Sequence, residues 1–371
     1  MSMAAKLPAG LADIANKLSG LLSGGGGGGT VIGLSIGTSS IKLVELKRSG
    51  KSWKLLHFGI VQLGEDTIIN REIINQISVV DSIKQLLGQL KLSTKQVCTS
   101  LSGTSLIIKR MQVEVPNVRE LQEAVFWEAE QYLPFDPSEV VMDYHMLSRA
   151  KDNKTDVLLV AVKKAVLDTY MACVEDAGLQ PKIVDVDFFA LQNLFEINYP
   201  ANPSEAVAVV DLGASSLKLV VVHDGVPVYT KDAAIGGRML TAEIQKSLGL
   251  NYNDAESLKT APGGSASMPQ EVSDLMHIMA ENIAGEIKRS LDFYNASSTG
   301  APVSYVLLTG GSAKIENISK MVEDMVGLPT QLLNPFSAIT CDPSVFTPDY
   351  LNAIAPIAAV PIGLALRAGS K

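Results

Sequence analysis

From Val31 onward, apolar residues run in short blocks that small polar residues interrupt at regular places. The stretch "VIGLSIGTSSIKLVELKRSGKSWKLLHFGIVQL" breaks at Gly37-Thr38-Ser39-Ser40 and again at Ser49-Gly50-Lys51-Ser52, which predicts a three-stranded meander. "AVAVVDLGASSLKLVVVHDGVPVYTKDA" predicts a second one, with turns at Gly213 to Ser216 and around Asp224-Gly225. The first turns are copies of each other: "SIGTSSIKLVEL" and "DLGASSLKLVVV" share six of twelve positions and lie 176 residues apart. A repeated supersecondary unit predicts a repeated lobe. A third block, "SYVLLTGGSAKIENISKMVEDMVG", reads as a strand, a corner at Thr309-Gly310-Gly311-Ser312, and a helix with Ile315, Ile318, Met321, Val322 and Met325 on its apolar face.

Between the copies the pattern changes. A capped helix from Asn117, a proline-bounded turn at Leu133-Pro134-Phe135, strands at Val140 to Leu147 and Asp156 to Val162, a helix near Lys164 to Ala177 and a strand at Pro181 to Val186 form an inserted module. The division this predicts is a first lobe at 30–111 and 183–204, an insertion at 112–182, and a second lobe at 205–371 with a subdomain at about 236–300.

At the start, Leu11, Ile14, Leu18, Leu21 and Leu22 fall at helical spacing, and Gly24 to Gly29 follow as a tether. That segment reads either as a docking helix for a partner or membrane surface or as a tail. Near the other end, "AIAPIAAVPIGLAL" is shorter than the roughly 18 residues of a membrane span. It reads as a buried helix preceded by a proline break at Pro356 and Pro361.

With 371 residues, the chain exceeds the roughly 250 to 300 at which single cores stop growing, so two lobes are expected. The net charge is −8, and no run of basic residues exceeds two, which excludes the electrostatic footprint of nucleic-acid binding. Cys98, Cys173 and Cys341 have no paired spacing and the four histidines are scattered, so neither a disulfide framework nor a zinc site is expected; a reducing cytoplasm fits.

The duplicated turn suggests the chemistry. A glycine followed by hydroxyl residues lets backbone approach an anion and offers N–H and O–H donors to phosphate oxygens. A single such turn reads most simply as a hairpin whose glycine supplies positive φ. Two of them, Gly37, Thr38, Ser39 and Ser40 against Gly213, Ala214, Ser215 and Ser216, predict a clasp for a polyphosphate, with Lys42 and Lys218 two places further on. Asp211, just before the second turn, would hold a hydrated divalent cation or orient an attacking water. The corner at Gly310, Gly311 and Ser312 would let a base or ribose lie against the backbone.

The two hairpins and the diglycine corner resemble the phosphate loops and adenosine motif of the actin-like ATPase superfamily, which includes Hsp70 chaperones, sugar kinases and FtsA. The resemblance implies an α/β fold of two duplicated ribonuclease H-like lobes that binds ATP and Mg²⁺. It adds Gly236 and Gly237 to the nucleotide site, and Glu286 and Arg289 from the helix "AENIAGEIKRSLDFYN". The words "EAEQYLPFDPSEVVMDY" and "EIKRSLDFY" are similar to the PilM family of type IV pilus assembly, from about residue 31 to the end of the chain. That implies a cytoplasmic protein peripheral to the inner membrane. It would grip the N-terminal tail of a PilN-like membrane protein and link it to platform and motor components. Tyr132, Leu133, Pro134 and Phe135 would border that groove, although such residues also suit a core.

One position departs from the superfamily. Ser35 stands where aspartate usually precedes the first glycine, so the Mg²⁺ shell loses a carboxylate while Asp211 is kept. The expectation is therefore ATP as a conformational ligand with slow or no hydrolysis. Asp187 either faces the nucleotide water or caps the helix that follows it. The alternatives are an FtsA-like polymerising protein, a small-molecule kinase of the same fold and a type II secretion platform component; self-association stays open.

Overall fold

The structure is a computed structural model that describes residues 30–367 except 51, 150–152, 201, 203, 262–267 and 298–299. The amphipathic start and the glycine tether lie outside the described residues.

β1 (Thr30–Ile36), β2 (Ser40–Ser49) and β3 (Ser52–Gln62) form the first meander, antiparallel throughout. A small hairpin follows, β4 (Ile68–Ile69) and β5 (Glu72–Ile73), turned by Asn70 and Arg71 with φ of 49° and 67°. Two consecutive left-handed residues are what a tight hairpin turn demands. α1 (Gln76–Gln89), capped by the Asn75 side chain, leads to β6 (Gln96–Leu101), which pairs parallel to β1.

The insertion begins earlier than the sequence suggested and ends earlier too. β7 (Leu106–Glu114), α2 (Leu121–Ala129), β8 (Val140–Arg149) and β9 (Lys154–Lys163) build a separate antiparallel sheet, ordered β7-β9-β8. Its own small core contains Met111, Val113, Val125, Val157 and Leu159. A 3₁₀ turn at Val118–Glu120, capped by Asn117, precedes α2. The next two elements, assigned to the insertion by the sequence, belong to the first lobe instead. α3 (Lys164–Asp176) buries Tyr170, Cys173 and Val174 against that lobe's outer core, and β10 (Gln180–Val186) pairs parallel to β6. Insertion 112–182 is thus corrected to 106–163. Lys163 N donates to Ser105 O at 3.1 Å, so the insertion enters and leaves at neighbouring points.

α4 (Asp187–Asn198) leads into the second copy: β11 (Ala206–Leu212), β12 (Leu217–His223) and β13 (Val226–Ala233), the last two joined by Asp224-Gly225 with positive φ. The subdomain follows as α5 (Gly237–Leu248), α6 (Tyr252–Lys259) and the 28-residue α7 (Gln270–Ser297). β14 (Val303–Thr309), α8 (Ile318–Val326) and β15 (Thr330–Leu332) complete the lobe. The second sheet runs β13-β12-β11-β14-β15 and the first runs β3-β2-β1-β6-β10, with antiparallel and parallel pairs in the same places. The duplication therefore extends from the hairpin to the whole sheet.

The assignment of 205–371 to the second lobe is corrected at its end. β16 (Ile339–Thr340) joins the first sheet beside β3, and α9 (Pro348–Arg367) packs with α4 between the two sheets. Inward residues of both sheets, such as Val44, Phe58, Val209 and Val220, meet Leu191, Leu194, Ala358 and Ile362 in that central core. Period-two alternation sends Ile32, Leu34, Ala208 and Val210 to the outer cores instead. The expected proline break is absent, because α9 runs through both Pro356 and Pro361. Prolines loosen the helical ladder rather than end it here, and the carbonyl of Pro356 accepts from Gly310 N and from Thr309 Oγ1. α9 is long and apolar enough to cross a membrane by length and composition, yet 56% of its apolar window is buried in the protein. Gly33 makes that packing fit, since a Cβ there would lie 1.9 Å from the Pro361 carbonyl oxygen.

Candidate functional site

The two copied turns close alike: Gly37 N donates to Ser40 O at 3.1 Å and Gly213 N to Ser216 O at 2.9 Å. Among the described residues, the N–H groups of Thr38, Ser39, Ala214 and Ser215 have no backbone partner. The turns face each other across the lobes, with Thr38 Oγ1 2.9 Å from Ser215 Oγ. Backbone N–H groups left without a backbone partner are the kind of donor that meets phosphate oxygens, and the Thr38–Ser215 contact would have to open for a polyphosphate to lie between the turns.

Cross-strand register sets the charges. Ser35 lies opposite Lys42, and Asp211 lies opposite Lys218. In the second copy Lys218 Nζ is 2.9 Å from Asp211 Oδ2 and 3.1 Å from Asp187 Oδ2. Burial works against the Lys218 ammonium, but the two carboxylates more than offset it and raise its pKa. Asp187 is buried as well; Lys218 and the Ser100 hydroxyl, which donates to Oδ1 at 2.6 Å, overcome that burial and hold its carboxyl below the ordinary range. Asp187 does not cap α4, because its carboxylate is taken up by Ser100 and Lys218. In the first copy the residue opposite Lys42 on β1 is Ser35, so it has no cross-strand carboxylate. Burial lowers its pKa, with Asp211 and Asp187 opposing and Lys218 adding to the effect.

The expected adenosine corner closes on the second turn. Gly310 has φ of 92°, and a Cβ there would lie 2.4 Å from Leu212 O and 2.5 Å from Asp211 Oδ1, so only glycine lets the strands come this close. Ser312 Oγ donates to Gly213 O at 3.0 Å. Gly237 N and Arg238 N, at the start of α5, donate to Gly213 O and Ala214 O at 3.1 and 2.7 Å. Gly311 follows Gly310 in the same corner, and Gly236 caps α5.

Sequence reasoning missed several polar residues of this region. Arg238 Nη2 donates to Thr38 O at 2.7 Å, and Arg71 forms a two-point ion pair with Asp232, both across the lobes. Lys259 Nζ donates to Glu256 Oε2, Thr241 Oγ1 and Gly237 O at 2.6, 2.8 and 3.2 Å. A basic residue directly after Gly236-Gly237 was the one available signal, and it pointed to Arg238. Glu286 and Arg289, by contrast, pair with each other at 2.6 Å, with Arg289 69% exposed; the structure brings neither into hydrogen-bond contact with the turns.

At the insertion, Tyr132, Leu133, Pro134 and Phe135 form the turn after α2. Lys109 Nζ sits 3.2 Å from the Tyr132 ring centroid and Lys163 Nζ 4.5 Å from that of Phe135, so cation–π contacts fasten the turn to β7 and β9. Trp127 stands nearby on α2, 74% exposed.

The residues do not fit a carboxylate-held Mg²⁺. Ser35 offers no charge, and Lys218 occupies both Asp211 and Asp187. Among the described residues, no three acidic, histidine or cysteine side chains cluster closely enough to share a metal ion.

Two sheets of matching strand order, clasping two copied turns around a central pair of helices, define a two-lobed protein of the actin-like ATPase fold. The chain matches the family described as type IV pilus assembly protein PilM over residues 33–369, and it belongs to that family. A solved PilM-PilN type IV pilus biogenesis complex is 28% identical with a TM-score of 0.82, covering 92% of this chain and 98% of that one. The ethanolamine utilization protein EutJ from Carboxydothermus hydrogenoformans is 16% identical with a TM-score of 0.56, covering 96% and 97%, and shares the fold. Cell division protein FtsA of Staphylococcus epidermidis is 22% identical over 246 residues, 60% of this chain; the chain spans 49% of that relative's length.

Proposed function

We propose that this pilus assembly protein is a nucleotide-binding adaptor at the cytoplasmic face of the inner membrane. ATP binds between Gly37–Ser40 and Gly213–Ser216 and acts as a conformational ligand, while the insertion receives the N-terminal tail of a PilN-like membrane protein. The observation that carries this reading is the facing pair of copied turns, which meet at Thr38 and Ser215 and whose N–H groups have no backbone partner among the described residues. The solved complex of a 28% identical PilM with PilN supports the partner.

Slow or absent hydrolysis follows from the carboxylates. A general base works best with a pKa near the working pH, and Lys218 holds Asp187 well away from that range. The same argument disfavours a small-molecule kinase.

The test is calorimetric titration of ATP into the chain, then of a peptide copying the PilN-like tail, with phosphate release followed in the same samples. The expected result is ATP binding without release and a peptide affinity that ATP shifts several-fold, consistent with a coupling of about 1 to 3 kcal/mol. Peptide binding indifferent to ATP, or turnover at kinase rates, would overturn the reading.

A further inference from the structure

The two halves of the clasp share one backbone design and differ in their charges. Opposite each lysine stands either a serine, at Ser35, or an aspartate, at Asp211. Lys218 is therefore consumed by protein carboxylates at 2.9 and 3.1 Å. Lys42 makes no hydrogen bond and no ion pair among the described residues, and its Nζ lies 3.9 Å from where a Cβ on Gly37 would stand. It thus sits directly behind the first phosphate turn.

Lys42, Lys218, Arg71 and Arg238 face Asp187, Asp211 and Asp232, an excess of one cation before any ligand enters. Mg²⁺ at a nucleotide is held by one or two carboxylates beside the substrate phosphates; here Lys218 already engages both nearby carboxylates, Asp187 and Asp211. Lysine can answer a polyphosphate as a point charge.

Resting on the nucleotide reading above, we infer that Lys42 and the turn N–H groups meet the polyphosphate charge in place of Mg²⁺, so the cleft takes metal-free nucleotide. Ser35 is the residue that makes this so, because an aspartate there would pair with Lys42 as Asp211 pairs with Lys218.

The experiment measures ATP affinity by calorimetry in excess EDTA and again in MgCl₂, for the intact chain, Ser35→Asp and Lys42→Gln, with thermal melts confirming that each variant folds. The intact chain should bind ATP with similar affinity in both buffers. Lys42→Gln should lose about tenfold or more in both, the effect expected of removing a charge-assisted contact. Ser35→Asp should lose affinity in EDTA and regain it with Mg²⁺. A drop of about tenfold or more for the intact chain in EDTA, or a Lys42→Gln variant that binds as well as the parent, would overturn the inference while leaving nucleotide binding standing. No binding in either buffer would remove both.

Discussion

Asp185 lies on β10 beside the cleft, buried, with Arg367 Nε of α9 3.4 Å from its Oδ2. Burial pushes its pKa up to about 6 from 3.8, against the pull of Arg367 and the Val186 N–H. Because the folded-state pKa is raised, the folded protein binds more protons than the unfolded chain between those values, and stability falls as pH rises from about 4 to about 6. Replacing Asp185 with asparagine should abolish that loss. In urea unfolding, the variant's advantage over the parent should grow by about 3 kcal/mol between pH 4 and pH 7; a difference that stays flat with pH would refute the assignment. This cost was not readable in advance, since nothing local in "KIVDVDFF" distinguishes Asp185 from Asp187. Asp211 and Lys218 stood out because seven residues of one hairpin bring them together, whereas the Lys218–Asp187 contact depends on where α4 begins relative to β12. Arg71 escaped notice for another reason: Asn70-Arg71 lacks the glycine that usually marks a turn needing two left-handed residues.

At the level of elements, what repeated was legible and what returned was not. Both meanders, the diglycine corner and two of the insertion's three strands, β8 and β9, follow from alternation and turn residues. The boundary expected at 111/112 cuts through β7, which did not read as a strand, and β10 read as part of the insertion because its partner, β6, is far away in sequence. The corrected boundaries make a prediction. With Ser105 and Lys163 hydrogen bonded, residues 106–162 can be replaced by two glycines. The shortened protein should unfold in one cooperative step and bind ATP like the parent, yet lose the tail peptide in a fluorescence titration; retained peptide binding would move the partner site to the lobes. Some apolar surface, including that of Val141 and Val162, couples insertion and lobe, so a melting temperature a few degrees lower, for about 1 kcal/mol, is expected.

For the molecule as a whole, the two lobes meet at the cleft, Arg238 Nη1 with Ile68 O and Lys218 with Asp187 among the contacts. Thr38 to Ser215, Arg238 to Thr38 and Arg71 to Asp232 join the lobes around the turns. Arg71→Ala leaves a carboxylate uncompensated and removes charge-assisted hydrogen bonds worth about 1.5 to 3 kcal/mol. Small-angle scattering should then show a larger radius of gyration that ATP brings back toward the parent's; superimposable curves would mean the central helices alone fix the lobes. The fold class was legible at this scale because the copied turns imply copied lobes. The shared central layer was not, because α9 carries two prolines that argue against a long helix, and its packing against Gly33 and the Gly310 corner comes from residues far away in sequence.

The return of β16 and α9 to the first lobe has a consequence for biosynthesis. While a ribosome is still making the second lobe, the sheet begun at Thr30 lacks its edge strand at Ile339–Thr340, and Gly33 has no helix to lie against. Domains often fold one after another as they emerge, but here the first lobe stays unfinished until Ile339 to Arg367 have been translated. The nascent chain would hold an open apolar face until then, and a chaperone that shields it should matter for this protein.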